Sequence, residues 1–230
     1  ATEACVSAGS SACPEPVIDD ARAVAAWSRV DGGDVLAAYS LYLRGYSARD
    51  HGDLARAEAA LAGALAIPHL PPVLEADAAF LLADSLEPDQ ADAITEALAR
   101  CGRLPVPELA PHCALHAAAR LLDDGRAIDA LTMLAPILDA PDVQEDARLF
   151  AGEAVARLET TSALISLPPA QRARVLTLGA QRLAEHGLVT RALAAIEEAR
   201  AIGPDPTRDA LSARLMAERG TTVDTPVAWL

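Results

Sequence analysis

The feature that most constrains this chain is a glycine cadence that occurs three times. In ARDHGDLARAEAALAGALAIP, Gly52 precedes Pro68 by sixteen positions. Gly125 precedes Pro141 by the same interval, and Gly187 precedes Pro204 by seventeen. Five residues after each glycine stands an alanine (Ala57, Ala130, Ala192), and nine after it a larger aliphatic (Leu61, Leu134, Ile196). Polar residues come just before it: Asp50 and His51, Asp123 and Asp124, Glu185 and His186. A glycine in that setting reads as a helix stop, because it accepts the left-handed conformation that ends one helix and lets the next begin. The proline closes the second helix, because the residue before a proline avoids the helical region.

Between these units lie weaker ones without glycine, breaking at Pro88 and near Thr160. The turns then fall near residues 52, 88, 125, 160 and 187, a repeat of roughly 28–38 residues. Helices are expected at about 17–30, 34–50, 53–66, 72–86, 89–101, 110–123, 126–139, 143–158, 160–166, 170–186, 188–201 and 205–219. Apolar residues make up 52% of the chain and aromatics only 3%, so the core must be built from Ala, Leu, Val and Ile. Ala and Leu are strong helix formers and strand-type runs are missing. The expected fold is all-α, a right-handed α-solenoid of about five to six antiparallel helix hairpins, in which each hairpin hides its apolar face only against its neighbours. The domain plan is a disulfide-closed N-terminal segment at 1–16, a helical repeat domain at 17–219, and an extended tail or linker at 220–230, whose TTVDTPVAWL fits no helix.

The Gly-x4-Ala-x3-(Leu/Ile)…Pro cadence resembles tetratricopeptide-like repeats, although their strong Trp, Tyr and Phe positions are largely absent. The Ala/Leu-rich texture with Asp-Gly and His-Gly turns also resembles the superhelical region that precedes the catalytic domain of periplasmic soluble lytic transglycosylases. The Glu-Ser and Gly-Leu-Met-Gln stretches of that catalytic domain do not occur here. The first resemblance implies a scaffold with a peptide-binding groove. The second implies a region that positions a catalytic domain outside this chain.

The formal net charge is −14 and no Lys occurs, so every formal cation is an Arg. Phosphate backbones and anionic membranes repel such a surface, which argues against nucleic acid as a partner. No apolar run approaches the roughly 18–20 residues that a membrane span needs. The opening ATEAC lacks a Met and a leader, and the simplest reading is a mature chain whose signal peptide has been removed.

The four cysteines form two local pairs, Cys5 with Cys13 and Cys101 with Cys113. Each pair brackets an irregular stretch, and CGRLPVPELAPHC carries three prolines. Local disulfides, with an oxidising compartment such as a periplasm or the exterior, are the favoured reading. Free thiols come next. A metal at Cys101, His112, Cys113 and His116 comes last, because adjacent His112 and Cys113 aim poorly at one ion. No metal or cofactor is therefore expected.

Chemistry-bearing motifs are otherwise lacking. Asp31-Gly32-Gly33-Asp34 has no Gly-Lys-Ser/Thr ending and reads as a turn. Adjacent acid pairs such as Asp123-Asp124 point apart on a helix. His51 and His186 suit helix C-termini. One cluster stands out: all three tyrosines, Tyr39, Tyr42 and Tyr46, share one helix face, flanked by Leu36 and Leu43, with Arg49 and Asp50 at its end. Such a stripe is a candidate partner-binding surface or part of a local core. Trp27 is expected to pack as core, and Trp229 either to dock on the last helix or to await a partner. The functional expectation is a non-catalytic scaffold of the bacterial envelope, not an enzyme, that holds a protein or peptide and is allied with peptidoglycan machinery. The alternative is the accessory region of a lytic transglycosylase.

Overall fold

The computed structural model describes residues 35–223. Over that span the chain is all-α, with no strand among the described residues. Ten of the segments are α-helices. The first five are α1 (Val35–Asp50), α2 (Leu54–Leu65), α3 (Pro72–Ser85), α4 (Ala91–Gly102) and α5 (Ala110–Asp123). The others are α6 (Ala127–Leu134), α7 (Gln144–Arg157), α8 (Pro169–Glu185), α9 (Val189–Ile202) and α10 (Pro206–Val223). Short 3-10 segments occupy Ala135–Ile137 and Thr161–Ser166.

The three glycines are the backbone's left-handed glycines among the described residues, with φ of 76°, 74° and 74° at Gly52, Gly125 and Gly187. Each is locked by the same pair of hydrogen bonds. Gly52 N donates to Arg49 O and Asp53 N to Ala48 O; Gly125 N to Leu122 O and Arg126 N to Leu121 O; Gly187 N to Ala184 O and Leu188 N to Leu183 O. This double closure satisfies the orphan carbonyls of the preceding helix. A methyl group at these glycines would meet nothing within 4 Å, so conformation, not space, demands glycine. A side chain there costs about 1–2 kcal/mol in the left-handed region. The residues that follow in the cadence are the deepest ones: Ala57, Ala130, Ala192, Leu61, Leu134 and Ile196 are all fully buried.

Helix contacts run mainly between sequence neighbours, α1 with α2, α2 with α3 and so on to α9 with α10. Weaker contacts join alternate helices, α1 with α3, α5 with α7 and α8 with α10. A second periodicity lies in the arginines. Arg100 Nη2 donates to Leu65 O, Arg157 Nη1 to Leu122 O, and Arg191 Nη2 to Ala156 O, each across 35 positions. Each of these carbonyls lies in the last turn of a helix, where acceptors have no intrahelical donor. Arg174 is paired in fork geometry with Asp139, also 35 positions away. A planar guanidinium is suited to this kind of reach and lock.

The buried apolar residues form two clusters. One runs from Ala38 to Cys113 over α1–α5. The other runs from Ala83 to Leu215 over α3–α10. Helices touch through small residues where they come closest. A methyl group on Gly179 of α8 would stand 2.2 Å from Val155 Cγ1 of α7, and one on Gly45 of α1 would stand 2.5 Å from Leu61 Cγ of α2.

Three local expectations need correction. The helix expected over 126–139 ends at Leu134 and tightens into the 3-10 turn, because Pro136 lacks the N–H that an α-turn needs. The stretch expected as a helix at 160–166 is instead a six-residue 3-10 segment, Thr161–Ser166, entered from an extended Thr160 and stopped shortly before Pro168. The last helix runs to Val223, past residue 219, because Gly220 does not take the left-handed conformation that stops the other helices. The expected helix at 17–30, Cys5, Cys13, Trp27, the turn at 31–34 and Trp229 lie outside the described residues.

Candidate functional site

The tyrosine stripe sits on α1, and α1 is placed by the helix behind it. Ala37, Ala38, Gly45 and Ala48 are buried. Gly45 lets α1 approach Leu61 of α2 closely. The opposite side of α1 carries the rings at intervals of three and four. Their centroids are 6.0 Å apart for Tyr39 and Tyr42 and 6.5 Å for Tyr42 and Tyr46, with tilts of 41° and 39°. Tyr39 and Tyr46 are 47% and 51% exposed, and Leu36 and Val35 above them are 60% and 43% exposed. Tyr42 is half-buried and packs against the α1–α5 cluster. The stripe therefore has one anchored ring between two open ones.

Two carboxylates of α3 complete it. Arg49, at the end of the stripe, forms an ion pair with Asp84, thirty-five positions on, and so ties α1 to α3. Asp77 lies half-buried beside Tyr42. Burial pushes the Tyr42 phenol above its ordinary value near 10, with the Asp77 charge and the two neighbouring phenols adding to it. Burial also pushes Asp77 up. No arginine among the described residues pairs with Asp77 or stacks on the rings.

A cleft of about 640 Å³ lies between α7 and α8 and is lined by Arg148, Arg174, Arg182, Glu145 and Glu185. Its three arginines and Glu185 are already committed. Asp139 takes the Arg174 fork at 2.6 Å and Arg148 at 3.4 Å, and these guanidiniums hold its carboxyl below the usual range. Glu153 accepts from Arg182 at 3.0 Å and Arg157 at 3.1 Å, with His186 3.5 Å away, and its carboxyl is likewise held low, chiefly by Arg182. These are clasps between helices, not an acid–base couple. A group whose folded-state pKa is depressed stabilises the fold above its unfolded value and loses that contribution as pH falls. Glu153→Gln is thus expected to flatten the acid limb of the stability curve below about pH 4.5, measured by urea denaturation at a series of pH values. An unchanged limb would show the clasp to be idle.

Cys101 and Cys113 form a disulfide with Cα atoms 5.7 Å apart, and both side chains are fully buried. The bond takes both sulfurs out of any metal set. His112 is half-buried and His116 exposed, and no group of three potential metal ligands exists among the described residues. His51 caps its own helix, donating from Nδ1 to Ser47 O at 2.7 Å. Next to the disulfide, Leu104, Pro105, Val106, Met133 and Ile137 line an apolar cleft of about 650 Å³. No helix among the described residues is long and apolar enough to cross a membrane.

Sequence reasoning placed the three tyrosines on one helix face and paired Cys101 with Cys113. It missed Asp77, Asp84 and the interhelical clasps. For Asp84 and Asp139 the signal is the 35-residue spacing to Arg49 and Arg174, visible only once the repeat length is known. Asp77 has no arginine partner among the described residues, and Arg182 stands 29 positions from Glu153. In comparison with known proteins, no family model matches the chain, and neither the curated proteins nor the solved structures contain a match.

Proposed function

We propose that this chain is a non-catalytic helical-repeat scaffold that binds a protein or peptide partner, exported to the periplasm or beyond. The observation that carries this reading is the open tyrosine stripe on α1. Adhesive aromatic area in a chain with 3% aromatics is concentrated there, and two of its three rings face outward. The scaffold half of the reading is a tetratricopeptide-like right-handed α-solenoid of five to six antiparallel hairpins. It is supported by three turns with the same hydrogen bonding, by packing between sequence neighbours, and by the 35-residue arginine ties. Contacts between alternate helices suit an array in which one helix of each hairpin lines a groove. Placement in an oxidising compartment is supported by the buried Cys101–Cys113 disulfide.

The test is comparative capture. Proteins of a bacterial envelope extract are passed over the immobilised chain and over its Tyr39→Ala/Tyr46→Ala variant. Both rings are exposed, so the fold should tolerate their loss. A partner that uses the stripe drops roughly fivefold or more in recovery on the variant. Equal recovery of every retained protein would remove the stripe from the interface. Enrichment of peptidoglycan-cleaving enzymes in the stripe-dependent fraction would tie the scaffold to that machinery.

A further inference from the structure

Resting on that proposal, we infer that the stripe takes an extended peptide segment carrying Lys or Arg at alternate positions, its cations over the faces of Tyr39, Tyr42 and Tyr46 and one of them paired with Asp77.

Three observations lead there. The first is the spacing. Alternate residues of an extended chain lie about 6.4–6.8 Å apart on one side, from a rise of 3.2–3.4 Å per residue. The ring centroids follow at 6.0 and 6.5 Å, so successive cations would meet successive rings. The second is charge. The rings offer electron-rich faces, and a cation within about 6 Å of a centroid is attracted to them. The cation on the same helix face, Arg49, is engaged by Asp84. The third is Asp77. It is a half-buried carboxylate against the anchored ring, without a guanidinium among the described residues, in a chain of net charge −14. A partner's ammonium or guanidinium would relieve its burial cost and supply the missing counter-charge. An acidic segment would meet only repulsion here.

The experiment uses fluorescein-labelled peptides and the full chain, read by anisotropy at about 0.15 M salt. The probes are an eight-residue alternating Arg-Ser peptide, a peptide of the same composition with its arginines in one block, and an alternating Glu-Ser peptide. The alternating basic peptide is expected to bind roughly fivefold tighter than the block peptide and tenfold or more tighter than the acidic one. Tyr39→Ala/Tyr46→Ala and Asp77→Asn should each weaken it roughly fivefold. Asp142→Asn, which removes an exposed charge from the α6–α7 linker, should leave it unchanged. Asp77→Asn deletes a carboxylate that burial disfavours, so its Tm should not fall, and lost binding cannot be blamed on misfolding. Equal binding of block and alternating peptides, or loss shared by Asp142→Asn, would reduce the effect to bulk acidity and overturn the inference. If captured envelope partners depend on the stripe while basic peptides do not bind it, the partner class is wrong and the scaffold reading stands. If neither depends on the stripe, both fail.

Discussion

Reduction of the Cys101–Cys113 disulfide is expected to lower the stability of the chain by about 3 kcal/mol, as the chain-entropy cost of opening a loop of this length. The bond spans a sequence separation of 12. It joins the end of α4 to the first turn of α5 and closes the linker that carries Pro105 and Pro107. That linker is otherwise held by turn hydrogen bonds, from Leu104 N to Cys101 O, Val106 N to Leu104 O and Leu109 N to Val106 O. Val106 is buried and anchors its middle. In the reduced protein two thiols remain in an apolar site, which suits them as small hydrophobes. The loss therefore acts through the greater freedom of the unfolded chain. Urea denaturation of oxidised and reduced protein, with Cys101→Ala/Cys113→Ala as a check, measures it. A difference below about 1 kcal/mol would show that Val106 and its neighbours hold the linker unaided. Because neither sulfur is exposed, reductant should act slowly without denaturant.

Leu134→Ala is the second large effect, a loss of about 3 kcal/mol within the 2–5 expected for a fully buried leucine. Leu134 ends α6 and belongs to the larger cluster, which leaves no partner free to fill the void cheaply. Its counterpart in the first cadence unit, Leu61, packs under Gly45 in the smaller cluster. Hydrogen exchange should tell the two apart. Leu61→Ala should lower amide protection chiefly in α1–α3, and Leu134→Ala chiefly in α5–α7, because each helix leans mainly on its sequence neighbours. A uniform loss along the chain for both variants would mean that the helices stand or fall together, and would count against serial stacking.

The glycine turns were readable because one backbone requirement produces them. Only glycine takes φ near 75° at no cost, and the alanine five residues on must be small to sit fully buried beneath the preceding helix. The turns without glycine were harder, since each is closed differently. After α3 the chain leaves through an extended Leu86, and the Gln90 side chain accepts from Glu87 N. After α7 an extended Leu158 leads into the 3-10 segment. Neither solution has a fixed sequence sign. The tyrosine face was readable from intervals of three and four within one helix. Asp77 was not, because an acid on a half-exposed helix looks like any solvated residue until α3 is laid against α1. The same holds for Asp139 and Glu153, whose bonds to Arg174 and Arg182 exist only once α8 is laid against the chain before it.

The position of the disulfide has a mechanical side. Cys101 and Cys113 belong to the first core cluster, while Leu98 on α4 and Ala114 on α5 already belong to the second. A load applied to the two ends of the chain would peel helices away from either terminus and then reach a covalent clamp at this seam. The clamp withholds roughly 4 nm of contour, twelve residues at about 3.5 Å each, that no amount of non-covalent rupture can release. A chain stretched between two anchored structures would thus keep a fixed reserve of length, surrendered only to a reductant.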